Sequence, residues 1–245
     1  MLALAVLAAL FAALMLNRKP PVKSLLVPEG YTLAQIDQLL AQSGILQEGG
    51  LINFEINDDL RERYWFLKEA KNLEGFLFPD TYEFFLDSSP EPVVKRFLNN
   101  FKRRTASIFS GKEDQVMDVI IMASMVEREV PDFGDDRPLV AGLLWRRLKI
   151  NMPLQVDATI CFVKNPLGCG DVLPVDLEID SPYNTYLNHG LPPGPISNPG
   201  LNAINAAINP KESLFWFFLS CPQTKKTVFA QTYGEHKQNI VKYLK

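Results

Sequence analysis

Along the chain, apolar residues first recur at helical spacing at Leu33, Ile36, Leu39 and Leu40. Thr32 stands ahead of them as an N-cap and Gly44 behind them as a stop, so a short helix follows a strand and turn that begin at Val27. A second helix is predicted over 60–71, rich in aromatics, and three longer ones over 91–105, 112–129 and 136–148, each with one apolar face. Between them, residues 74–84 alternate aromatic with turn-forming positions, the pattern of a strand bent at Pro79. From Asn151 the pattern changes, with Pro, Gly and Asn around short apolar runs. Residues 214–219 (LFWFFL) read as a buried strand, and 227–230 (TVFA) as its hairpin partner across the polar turn 222–226. A last helix closes the chain over 233–243. No internal repeat is visible, and the sum is a mixed α+β fold.

The start of the chain stands apart. Residues 1–16 carry no charged or polar side chain and stop at Asn17, Arg18 and Lys19. They read as a transmembrane helix, slightly short of the roughly 20 residues that span a bilayer core. A signal peptide is the rival reading, but no charged stretch precedes the apolar run. Residues 17–23 form a basic, Pro-containing linker, 24–73 a small α/β module that resembles a LysM-like fold, and 74–245 a larger mixed α+β domain.

Composition adds mainly exclusions. The chain has 245 residues, 47% of them hydrophobic and 22% charged, which is globular composition. A formal net charge of −3 leaves no basic footprint for phosphate, so nucleic acid is not an expected partner. Cys161, Cys169, Cys221 and the two His lack metal-ligand spacing, so no metal is expected. Cys161 and Cys169 flank a Pro/Gly loop and could close a small disulfide in an oxidising compartment, leaving Cys221 outside it. Small buried or incidental thiols are the weightier reading.

The candidate chemistry begins at the end of the helix over 112–129. Pro131 disfavours helical geometry at Val130, so the helix stops near Glu129 and leaves Glu127 and Glu129 in its last turn. A carboxyl there meets the negative end of the helix dipole, and the apolar turns before it add burial; both disfavour the charged form. A Glu that keeps its proton near neutral pH is what cleavage of a glycosidic bond requires, since the departing oxygen needs that proton. Two solvated charges with Arg128 as local partner are the alternative, and periodicity does not choose between the two acids. Further on, residues 181–200 run without helical or strand periodicity, and loops that long in a compact domain are usually functional. Tyr183, Asn184, Tyr186 and Asn198 offer flat faces and hydrogen-bonding groups suited to sugars, or else the loop is a rigid connection with its tyrosines packed inward. In the shorter segment 154–160, Asp157 is either an N-cap or a site acid.

Five stretches, in order, resemble the endolytic murein transglycosylase family, also called YceG-like or MltG: 74–82 (EGFLFPDTY), 123–129 (ASMVERE), 154–160 (LQVDATI), 181–186 (SPYNTY) with 198–200 (NPG), and Phe229 through 233–236 (YGEH). The resemblance covers nearly the whole chain, and the Pro-rich loop is its most specific part. It implies an anchor in the bacterial inner membrane, a single pass, and a catalytic domain on the periplasmic or extracytoplasmic side. It also implies cleavage between N-acetylmuramic acid and N-acetylglucosamine within a peptidoglycan strand, leaving 1,6-anhydro ends. The family's one essential Glu falls on Glu129, with Glu127 as alternate. Gln155, Asp157, Tyr183, Asn184, Tyr186 and Asn198 are then the substrate-positioning candidates, cell-wall synthases the expected partners, and no cofactor is needed. Arg146, Asn151, Val156, Ala158 and Thr227 depart from the family pattern, which touches peripheral contacts more than the acid. Two rival functions remain at this point: a muramidase that hydrolyses with Glu129 and Asp157, and a non-catalytic glycan-binding scaffold of wall synthesis.

Overall fold

A computed structural model describes residues 21–130, 136–221, 224 and 226–244 of the chain. The anchor expected over 1–16 lies outside the described residues, as does Pro131. Among the described residues no helix is long and apolar enough to cross a membrane. The fold is mixed α+β, with two small antiparallel sheets set among helices.

Strand β1 (Val22–Val27) pairs with β2 (Asp80–Phe85), in a register that sets Val22 opposite Phe85 and Val27 opposite Asp80. Helix α1 (Leu33–Gln42) lies between them in sequence and begins with a reciprocal cap, in which Thr32 accepts from the Gln35 amide and the Gln35 side chain accepts from Thr32 N–H. The helix expected over 60–71 is shorter: α2 covers Asp58–Arg63, Tyr64 is extended, and a single 3₁₀ turn spans Trp65–Leu67. Successive helical residues point about 100° apart, so a helix could not send Tyr64, Phe66 and Leu67 all into the core, where each is fully buried. The strand expected over 74–84 likewise starts only at Asp80. Before it, Gly75 turns at φ 88°, and a Cβ there would stand 2.6 Å from the Pro195 ring.

The helical layer is α3 (Pro90–Phe109), α4 (Val116–Glu129) and α5 (Arg137–Lys149). Two further helices, α6 (Asp157–Lys164) and α7 (Leu201–Ile208), arise where the sequence pattern predicts none. Helix α4 is buried along nearly its whole length and packs against α5, α6 and α7. The hairpin pairs β3 (Phe217–Ser220) with β4 (Thr227–Ala230), and α8 covers Tyr233–Tyr243. Cys161 and Cys169 form a disulfide, so the weightier sequence reading of these two as incidental thiols is corrected. Its loop sits on the start of α1, where Pro166 and Leu167 carbonyls accept from the Thr32 hydroxyl and the Gln35 amide.

Candidate active site

Three consecutive residues end α4, and helical geometry turns them in three directions. Glu127 points toward α7. Its carboxylate pairs with Arg137 at 2.8 Å and accepts the Gly200 N–H at 2.9 Å, at the entry to that helix. Both side chains of the pair are nearly enclosed, at 5% and 7% exposure for Glu127 and Arg137. A Cβ at Gly200 would meet the carboxyl of the exposed Glu29 side chain, which would have to turn aside. Arg128 is exposed and donates to the Gly30 carbonyl.

Glu129 points toward α6. Its Oε1 accepts the Ala158 N–H at 3.2 Å, in the first turn of that helix, and its own carbonyl accepts from the Ser220 hydroxyl at 2.6 Å. Val130 then takes an extended backbone, as a residue before proline should. The Glu129 carboxyl is densely surrounded although the residue keeps some exposed surface. Burial, followed by the charge of Asp157, pushes it up to about 7, against the Ala158 N–H and the Arg128 charge. The shift has the direction expected for this helix end, with burial as an expected cause and the charge of Asp157 as an added one. A carboxyl that titrates there can both deliver and take back a proton at neutral pH.

Asp157 is the exposed first residue of α6 and accepts a hydrogen bond from the Tyr186 hydroxyl. Gln155, also exposed, turns the chain into this helix at φ 53°. The segment is fastened to the long loop: Gln155 N–H donates to the Thr185 carbonyl, and Val156 N–H to the Thr185 hydroxyl. Asp157 and Tyr186 are therefore gathered beside Glu129.

The other loop candidates are not. Asn184 is fully buried; its amide donates to the Leu177 and Ile179 carbonyls and its oxygen accepts from Tyr186 N–H. Asn198 is fully buried too, donating to the Tyr31 carbonyl and to Glu74 and accepting from Leu77 N–H. Both are corrected from sugar-positioning groups to internal ties, since irregular backbone inside a protein must find its hydrogen bonds there. Tyr183 packs its ring on Phe162 at 5.1 Å, with its hydroxyl close to Gly194. That is the inward-packed reading of the loop.

Sequence reasoning missed several groups. Glu74 is buried, accepts Leu33 N–H at the start of α1 through both oxygens, and is pushed up to about 8, chiefly by burial. Arg147 is buried behind Tyr186, and no periodic signal marks it within a run of basic residues. His236, in the fifth matching stretch, stacks on Phe217. Among the described residues, no group of three or more His, Cys, Asp or Glu side chains could hold a metal ion.

With the site described, known proteins place the chain. The model of the YceG-like family matches residues 4–242. The chain belongs to the YceG-like family. Among its relatives, an endolytic murein transglycosylase of Streptococcus pneumoniae is 30% identical over 93% of this YceG-like chain and 46% of its own length. A second, from Bacillus subtilis, is 38% identical over 73% of this chain and 50% of its own. A crystal structure of a yceG-like protein from Listeria monocytogenes superposes with a TM-score of 0.78 at 31% identity, covering 91% of this chain and 78% of that one. The chain spans about half the length of the curated relatives it matches.

Proposed function

We propose that this chain is an endolytic lytic transglycosylase that cuts murein strands between N-acetylmuramic acid and N-acetylglucosamine, with Glu129 as the single group that gives and takes the proton. The observation that carries the reading is a carboxyl of raised proton affinity, on a residue that keeps some exposed surface, at the junction of α4 and α6. The names of the relatives support the same class. In the first step Glu129 protonates the glycosidic oxygen, the bond from that oxygen to the muramyl C1 breaks, and the glucosamine chain leaves as an alcohol. In the second, the muramyl C6 hydroxyl bonds to C1 and its proton passes to the Glu129 carboxylate. The acid is restored, no water is consumed, and the product is a 1,6-anhydro end. Asp157 and Tyr186 are gathered beside this acid.

A second reading is favoured by one observation, the closeness of Asp157 to Glu129: a muramidase that uses both carboxylates to add water. Mass spectrometry of strands digested by the full chain separates the two. Anhydro ends are expected; reducing ends would replace the transglycosylase with the muramidase.

We also propose the setting. Residues 1–16 anchor the chain in the bacterial inner membrane in one pass, 24–73 form a LysM-like module, and 74–245 face the wall beside synthases. The uncharged apolar run supports the anchor, and a disulfide suits an oxidising, extracytoplasmic compartment. Removing residues 1–16 should release the protein from membrane fractions; continued sedimentation with them would contradict the anchor.

A further inference from the structure

The first turn of α6 brings two carboxyls together. Glu129 accepts the Ala158 N–H, and the residue just before that amide is Asp157. Like charges so placed repel, yet Asp157 is held in position, because the Tyr186 hydroxyl is bonded to its Oδ1. Tyr186 is fixed in turn, since its N–H donates to Asn184 and the preceding Thr185 bonds to Val156 N–H and meets the Thr159 hydroxyl.

Behind Tyr186 lies Arg147, a buried arginine of α5. Its guanidinium donates to the Leu154 carbonyl at 2.7 Å and twice to the Trp216 carbonyl, and it sits 5.3 Å from the centre of the Phe217 ring. Among the described residues no carboxylate pairs with it. The three backbone bonds offset part of the cost of burying this cation, whose charge stays uncancelled. The acidic group it acts on is the Tyr186 hydroxyl, which carries the hydrogen bond to Asp157.

We propose that Asp157, held by Tyr186 with Arg147 behind it, is a positioning residue whose charge keeps the proton on Glu129 until a glycosidic oxygen arrives. This rests on the transglycosylase reading of Glu129 for its catalytic meaning, although the charge coupling stands without it. The groups facing Glu129 are few. From its own helix comes Arg128, with Glu127 turned away to Arg137; from α6 come Asp157 and the Ala158 N–H. The long loop supplies Tyr186, and β3 supplies Ser220, which bonds only the backbone carbonyl. His236 of α8 adjoins Arg147, one layer back. Of these, Asp157 is the acid whose charge acts on Glu129, so removing it has one direction of effect.

The test compares wild type, Asp157→Asn and Tyr186→Phe in the full chain. The titration of Glu129 is followed through the carboxyl carbons of Glu-labelled protein, with its signal identified by loss in Glu129→Gln. The alkaline limb of the pH profile for strand cleavage is measured alongside. The Glu129 midpoint and the limb should both move to lower pH, by about one unit in Asp157→Asn and by less in Tyr186→Phe, whose Asp157 is then free to turn into solvent. An unmoved midpoint in both variants overturns the proposal, as does loss of cleavage at every pH in Asp157→Asn, which would make Asp157 a direct participant. A merely structural role would lower the rate at all pH values and leave midpoint and limb in place. Reducing ends from wild type would sink the transglycosylase reading while leaving the midpoint comparison intact.

Discussion

Glu127 and Glu129 are two residues apart on one helix, and each meets the backbone N–H at the entry of another helix, α7 and α6 respectively. Their surroundings nevertheless give them opposite properties. At Glu127 a buried arginine completes the pair and closes the site. At Glu129 the neighbour across the gap is Asp157, and part of the residue stays open to solvent. Glu74 marks a third case, a carboxyl with high proton affinity that is enclosed and committed to Leu33 and Asn198. A raised proton affinity is therefore not enough for chemistry. The acid must also keep a lone pair that a substrate can reach.

The comparison can be broken from the closed side first. Glu127→Gln removes the carboxylate that pairs with buried Arg137 and meets the Gly200 N–H, and it should lower stability by about 4 kcal/mol, seen as an earlier midpoint in urea. A small change would mean that Glu127 is not the structural member of the pair. Asn198→Ala strips partners from Glu74, Tyr31 and Leu77 at once, and about 3 kcal/mol should be lost. An unfolding midpoint equal to wild type would return Asn198 to the list of substrate groups. Replacing Cys161 and Cys169 together by Ser should cost about 2 kcal/mol, and no loss would show the disulfide to be incidental.

Stability should also depend on pH. Glu74 and Glu129 both rise from an unfolded value of 4.5, to about 8 and about 7. The folded chain thus holds protons that the unfolded chain has released. Their contribution to stability is complete below pH 4.5 and is lost as pH rises through 7 and 8. Urea midpoints should fall across that window, and Glu74→Gln should flatten the fall. A slope unchanged in Glu74→Gln would place the linkage elsewhere.

Sequence reveals these regions unequally, for a physical reason. The helices α3, α4, α5 and α8 and the β3–β4 hairpin carry their own periodicity, so they are legible locally. Helix α6 is not, because Val156 offers no side-chain cap and one of its first-turn amides is met by Glu129, 29 residues earlier in the chain. Helix α7 is similar: Gly200 precedes it, and the acid that meets its entry comes from Glu127. The same long-range contacts separate Glu127 from Glu129, which periodicity alone leaves equivalent. Asn184 and Asn198 look like sugar ligands in sequence because a polar side chain in a Pro-rich loop reads alike whether it turns in or out. Arg147 and Glu74 are visible only once the backbone carbonyls and amides they satisfy are in place.

The most direct test of the account is cleavage of purified glycan strands by Glu129→Gln, with its urea midpoint measured in parallel at pH 5, where the lost carboxyl is largely protonated and Gln resembles it. The account predicts a folded protein whose cleavage falls by about 10²–10⁴-fold. Cleavage at the wild-type rate by the folded variant would contradict it.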